Sequence, residues 1–432
     1  MNKKFLLIPA TMLMAISSCS SNASHIYTSN DPSSSVNHAE LFNGYKDYLL
    51  NQPNKSFNSK VKALDPNYVS SVQSFASDFY KVIQDEENKI FSPLSIATCF
   101  SMLLDGAANN SRKELENMLH YDDSFNHLDA IKDMLLNLAI KDEKGVYLDI
   151  AQSFWVDNCF KDTISQEYVN KLTEYYFAEA FQGVLKSQEM HQALANYIND
   201  KTNEFFHLTA QDFVDFAGVL WLVNTIYTNS EWVNEFPERN NYEGTFYNLD
   251  KTTSQVTYMN RSDEQGRYYK GENYVISTLA LKHGLNFNIL LPNKDADAKA
   301  VLSSKDALNN MFNFNNLRLG VYGNTVYTVP KFEGRSKYDL IEILPNLGVR
   351  DIFGTKADLS PIGADGLYVS KAIHEAGIKV DNKGVEAAAY TIIEVEKGVA
   401  APDVEITLNH PFAYSISDSN GLPLFVGVIN KF

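Results

Sequence analysis

The 432-residue chain has only three cysteines, Cys19, Cys99 and Cys159, too few for a disulfide-stapled scaffold. It has no basic surplus. Asp and Glu number 53 against 37 Lys and Arg, and the resulting net charge of -16 argues against nucleic acid as a partner. The motifs of common enzyme chemistry are missing as well: there is no G-x-S-x-G, no Gly-rich phosphate loop and no Cys-x-x-Cys. His374-Glu375 lacks the second histidine of an H-E-x-x-H zinc site. Neither an enzyme nor a bound cofactor or metal is expected. The apolar run near the N-terminus, Phe5 to Ile16, is too short for a membrane-spanning helix.

That run follows Lys3 and Lys4 and ends Ile16-Ser17-Ser18-Cys19, a positive n-region, a short apolar h-region and small residues before a cysteine. It resembles a bacterial lipoprotein leader, residues 1–18, with Cys19 as the acylated mature N-terminus. The alternative is an ordinary secretory leader with a chance cysteine. On the lipoprotein reading the protein belongs to the cell envelope, periplasmic or surface-facing, and meets the membrane only through lipid. Cys99 and Cys159 are then expected as small buried hydrophobes.

Residues 19–64 are rich in Ser and Asn, carry Pro32 and Pro53, and have one weak apolar patch at Tyr45, Tyr48, Leu49 and Leu50. This reads as a flexible tether. Order is expected from Asp65-Pro66, a helix start, with Tyr68, Val72, Phe75, Phe79 and Ile83 at helical spacing. From 65 to 432, helix-like stretches such as Arg112 to Leu119 and Gln166 to Phe177 alternate with strand-like ones at Tyr147 to Val156, Leu220 to Tyr227 and Asn286 to Leu291. There is no βαβ period and no internal repeat, which predicts an α+β domain. Ala413 to Ile416 and Leu424 to Ile429 flank Asn420-Gly421, a hairpin signal.

Five segments carry a family resemblance. They are Asn88 to Ala97; Leu222 to Tyr227 followed by Trp232 and Phe236; Val369 to His374; Val380 to Ala389; and Asn409 to Phe412 with Gly427. In this order and spacing the chain resembles the serpins. The resemblance implies about nine helices packed on three β-sheets, a large central sheet A and an exposed reactive-centre loop at about residues 384–404. It further implies a polar cluster of Ser92, Ser95, Asn224 and His374 under the centre of sheet A, with His374 a neutral member. Trp232 either caps the opening of that sheet or is an ordinary core tryptophan.

The hinge of that loop is Gly384, Val385, Glu386, Ala387, Ala388 and Ala389. Glycine tolerates unusual backbone angles, and the alanines lose little side-chain entropy on ordering. On insertion as a strand, Val385, Ala387, Ala389, Thr391 and Ile393 would face the core, all small or apolar. Glu386, Ala388, Tyr390, Ile392 and Glu394 would face outward. The resemblance implies a suicide substrate: a serine protease, elastase-like or trypsin-like, cleaves the loop and is trapped as a covalent acyl-enzyme when the loop inserts. The family's distance from the hinge glycine places the reactive bond at Gly398-Val399, with Lys397 and Ala400 as alternatives. Cysteine proteases are a further target class. A non-inhibitory serpin acting as a binding protein, and a monomer in either case, is the alternative.

Overall fold

This computed structural model describes residues 6–18, 41–59, 63–143, 145–314, 320–382 and 402–432. The first long helix, α1 (Pro66–Ile83), starts where local chemistry favours it: the Asp65 carboxylate accepts from the Asn67 N–H, and Pro66 sits in the first turn. Tyr68, Val72, Phe75, Phe79 and Ile83 are all buried along one stripe of it. In α2 (Pro93–Leu104) the Ser92 hydroxyl accepts from the Ser95 N–H, and every residue of the helix is buried. The remaining α-helices among the described residues are α3 (Asn109–Leu119), α4 (His127–Asn137), α5 (Gln166–Glu174), α6 (Gln188–Lys201), α7 (Ala298–Leu302), α8 (Lys305–Phe312) and α9 (Leu340–Ile343).

Among the described residues the central sheet has eight strands. Across it run β13 (Phe332–Asp339), β14 (Leu367–Val380), β1 (Leu6–Ser18), β7 (Leu220–Ser230), β5 (Gly145–Asp157), β6 (Glu179–Gly183) and β2 (Leu49–Asn51), with β4 (Ile140–Asp142) paired to β5. The second sheet has nine: β15 (Val404–Thr407), β12 (Val321–Pro330), β9 (Thr253–Lys270), β10 (Tyr274–Ala280), β11 (Asn286–Pro292), β16 (Phe412–Ser417), β17 (Pro423–Ile429) and β3 (Lys89–Phe91), with β8 (Tyr242–Tyr247) on β9. The second and third of the three expected sheets thus run on into one another through β9 and β10. The predicted hairpin is β16–β17; Gly421 in its turn has φ 83°, a left-handed conformation that favours glycine.

Two N-terminal segments are ordered on the central sheet. Leu6 to Ser18, read as a leader, lies as β1 in the middle of the central sheet. The physical reason is that an uncharged apolar run suits a strand covered on both faces as well as it suits a leader. Ala10, Met12, Met14 and Ile16 join the main core with α2, while Leu13 and Ala15 join a second core of Trp155, Trp221 and Tyr197 under α6. The second segment is the end of the expected tether, which packs on the sheet edge. Tyr45 is buried edge-on against Phe181 and Tyr197, its hydroxyl donates to Asp200 at 2.7 Å, and Leu49–Asn51 pairs with β6. Residues 19–40 lie outside the described residues.

Of the two cysteines expected to be buried, one is. Cys99 is buried and its thiol is held well above its usual pKa by burial. Cys159 is exposed, because it follows the end of β5 in a surface turn.

Candidate functional site

The residues predicted to meet under the central sheet do meet. Ser92 caps α2, Ser95 lies one turn in, Asn224 is midway along β7 and His374 midway along β14, and all four are fully buried. The Ser95 hydroxyl donates to the Asn224 side-chain oxygen at 2.6 Å, and the Ser92 hydroxyl donates to the Leu424 carbonyl at 2.6 Å. The Ser92 N–H donates to Nε2 of His374 at 2.9 Å, so the ring proton belongs on Nδ1, which faces the Thr11 carbonyl at 3.0 Å. Burial drives the His374 pKa down to about 3, opposed only in part by the Thr11 carbonyl. The imidazole is therefore neutral, as expected, and lies flat against Tyr338, 6.1 Å away between ring centres.

A strand separates two of these residues. Met12 of β1 stands opposite His374 on one side and opposite Asn224 on the other. Asn224 and His374 are therefore level with each other, with β1 between them. The Asn224 amide nitrogen is buried without a hydrogen-bond partner in this arrangement, a costly condition for a polar group.

Trp232 lies where β14 ends. Its indole N–H donates to the Asp381 carbonyl at 3.0 Å, and its ring packs edge-on against Phe236 and Phe287. It thus ties the exit of β14 to the second sheet while lying buried in the main core. Sequence reasoning missed the partner of this tie. Asn382 is buried, donates to the Phe236 carbonyl at 2.9 Å and exchanges amide bonds with Asn241 at 2.8 and 2.9 Å. No motif marks Asn241; an asparagine just after a strand was the one available signal.

The hinge residues Gly384 to Ala389 and the reactive-bond candidates Lys397 to Ala400 lie outside the described residues, as does Cys19. Their two points of attachment are described. The chain leaves at Asn382 and returns at Asp403, whose carboxylate accepts from the Asn324 N–H at 2.8 Å and whose carbonyl accepts from Lys270 at 3.1 Å, before β15 runs parallel to β12.

Comparison with known proteins agrees with this geometry. The family model described as Serpin (serine protease inhibitor) matches residues 70–431. Serpin B11 of Mus musculus is 29% identical over 390 residues, covering 84% of this chain and 99% of its own. An uncharacterized serpin-like protein of Methanosarcina acetivorans is 26% identical, covering 84% and 88%. Among solved structures, the thermophilic serpin tengpin in its native state superposes with a TM-score of 0.71 at 22% identity, covering 87% of this chain and 96% of that one. Cleaved Serpin 42Da gives 0.68 at 21% identity, covering 85% and 99%. These structural likenesses concern the fold.

Proposed function

Because the chain belongs to the serpin family, whose members are generally protease inhibitors, we propose that it inhibits a serine protease by trapping the acyl-enzyme as its cleaved loop enters the central sheet, sheet A. One observation carries this reading: a strand already lies between β7 and β14, antiparallel to both. It begins opposite Lys379, at the end from which the loop departs, and runs to Leu367. A loop folding back from Asn382 would enter at that end and in that direction. The position is 13 residues long, about 40 Å at 3.3 Å per residue, enough to carry an attached protease from one end of the domain toward the other. Dragging the acyl-enzyme distorts its oxyanion hole, and each donor lost slows deacylation by about a hundredfold or more. Loop insertion that releases stored strain is a mechanism already established for serpins in general.

The sequence of the hinge supports the same reading. Val385, Ala387 and Ala389 add little bulk to the face that meets the core. Lys397, Gly398, Val399 and Ala400 supply bonds for trypsin-like or elastase-like enzymes. We further propose that the working form begins at Cys19, lipid-anchored in the cell envelope and monomeric.

The test is to mix the form beginning at Cys19 with trypsin and with an elastase and to seek an SDS-stable adduct. The expected result is an adduct with at least one of them, absent in Val385→Arg, because a guanidinium cannot enter the core face at the first step of insertion. Cleavage without adduct and without a gain in heat stability makes the protein a non-inhibitory binding serpin.

A further inference from the structure

Sheet A has one position between β7 and β14, and in this structure the chain's own N-terminal segment fills it. The segment is paired on both edges and buried through its middle. β1 pairs with β14 from Leu7–Lys379 to Ser18–Leu367 and with β7 from Leu6–Ser230 to Ile16–Leu220. Ala10, Met12, Met14, Ala15 and Ile16 have no exposed surface. The polar centre is bonded to β1: His374 Nδ1 faces the Thr11 carbonyl, the Thr11 hydroxyl donates to the Asn224 backbone carbonyl at 3.3 Å, and the Ser370 hydroxyl donates to the Ala15 carbonyl at 3.2 Å. At the far end the Val219 N–H donates to the Ile16 carbonyl at 2.8 Å. Gly218 has φ 142°, and a Cβ there would stand 2.7 Å from that carbonyl oxygen, so the turn before β7 is shaped to admit β1.

We infer that Leu6–Ser18 is an internal competitor for the reactive-centre loop: a chain that retains it keeps the loop out of sheet A and meets proteases as a substrate, and removal of the segment before Cys19 makes the position available. The trapping half of this statement rests on the function proposed above; the occupancy half does not. Two strands contend for one place, and their chemistry differs. From Leu6 to Ser18 there is no charged residue, whereas the loop carries Glu386, Glu394, Glu396 and Lys397. Sheet A is covered on its outer face too, by α6 and the Trp155–Trp221 core, and there β1 presents Leu13 and Ala15. The loop would bring Glu386, Tyr390 and Glu394 to that side. The N-terminal segment also needs no cleavage before it can insert, and its attachment to the same chain gives it a high effective concentration.

The experiment compares three purified forms free of lipid: the full chain, the full chain with Met14→Asp, and the form beginning at Cys19. Met14 is the residue to change because it lies opposite Leu222 and Ala372, where a carboxylate finds no polar partner; Met14→Leu is the full-chain control. Digestion with a broad-specificity protease reads occupancy, and SDS-stable adducts with trypsin and elastase read trapping. Leu6–Ser18 is expected to resist digestion in the full chain and in Met14→Leu and to be degraded in Met14→Asp. Adduct yield should rise roughly tenfold or more from the full chain to Met14→Asp, approaching the form that starts at Cys19, as expected when one state of two is removed. Equal digestion of the segment in the full chain and in Met14→Asp overturns the inference, as does a full chain that traps as well as the shorter form. If no form gives an adduct, the inhibitor reading fails, while the digestion pattern still decides whether the segment occupies sheet A.

Discussion

The middle of the second sheet is closed by residues on adjacent strands. Phe287 of β11 stacks on Tyr414 of β16 with ring centres 5.4 Å apart and planes 6° from parallel, and the Asn288 amide donates to Ser417 at 2.9 Å on the strand beside it. The middle of sheet A is flanked by residues two strands apart, Asn224 and His374, with β1 between them: His374 faces the Thr11 carbonyl and the Thr11 hydroxyl donates to the Asn224 backbone carbonyl. Each arrangement leaves one buried amide atom unpartnered, the Asn288 side-chain oxygen in the first and the Asn224 amide nitrogen in the second; what differs is that the first joins neighbouring strands and the second flanks a strand between. If β1 is the replaceable strand proposed above, the polar residues of sheet A flank a strand that can leave, while the second sheet joins strands that stay.

The largest effect that would break this comparison is expected in the permanent sheet. Tyr414→Ala removes a fully buried ring packed on Phe287, Phe332 and Phe412 and should cost about 3–5 kcal/mol. Urea unfolding of the full chain and of the form beginning at Cys19 checks it. Because β16 keeps the same neighbours with or without β1, the loss should be equal in the two forms. A loss confined to one of them would mean that the second sheet also changes between states.

The next effect belongs to sheet A and is set by pH. His374 binds a proton more readily in the unfolded chain, at its ordinary pKa near 6.5, than in the folded protein, where burial lowers the pKa to about 3. Its contribution is fully present above pH 6.5 and is lost as the pH falls toward 3, at about 1.4 kcal/mol per pH unit, or about 2 kcal/mol at pH 5. His410 and His191, also lowered by burial, act in the same direction. His374→Gln should therefore flatten the acid side of the stability curve in part. An unchanged slope in that variant would show that the imidazole is not held neutral by sheet A.

Much of this architecture could be read from the sequence, for reasons that separate the two sheets again. The helix start at Asp65-Pro66, the buried stripe from Tyr68 to Ile83 and the turn at Asn420-Gly421 each follow from local chemistry. Ser92, Ser95, Asn224 and His374 came from the family pattern, and periodicity alone would not have joined residues so far apart in sequence. The position of β1 was not legible, since thirteen uncharged residues satisfy a leader and a buried strand equally. The docking of Tyr45 and Leu49 on the edge of sheet A was visible only as a weak apolar patch, because its partners Phe181 and Tyr197 lie far along the chain. Asn241 and Asn382 pair through a long-range contact for which the sequence has no period.

The smallest effect lies at the joint between the sheets. Trp232 bonds the Asp381 carbonyl where β14 ends and packs against Phe287 of the permanent sheet. Trp232→Phe keeps an aromatic ring but loses the N–H donor, and one net hydrogen bond is worth about 1 kcal/mol. A change of that size barely moves global unfolding. It should instead speed amide exchange near Lys379–Asn382, where the loop departs, and leave Phe412–Ser417 of β16 unchanged, because local opening is governed by local bonds. Faster exchange in both places would make Trp232 a general core residue; faster exchange at the exit alone would make it the catch that holds the end of β14 to the sheet that does not move.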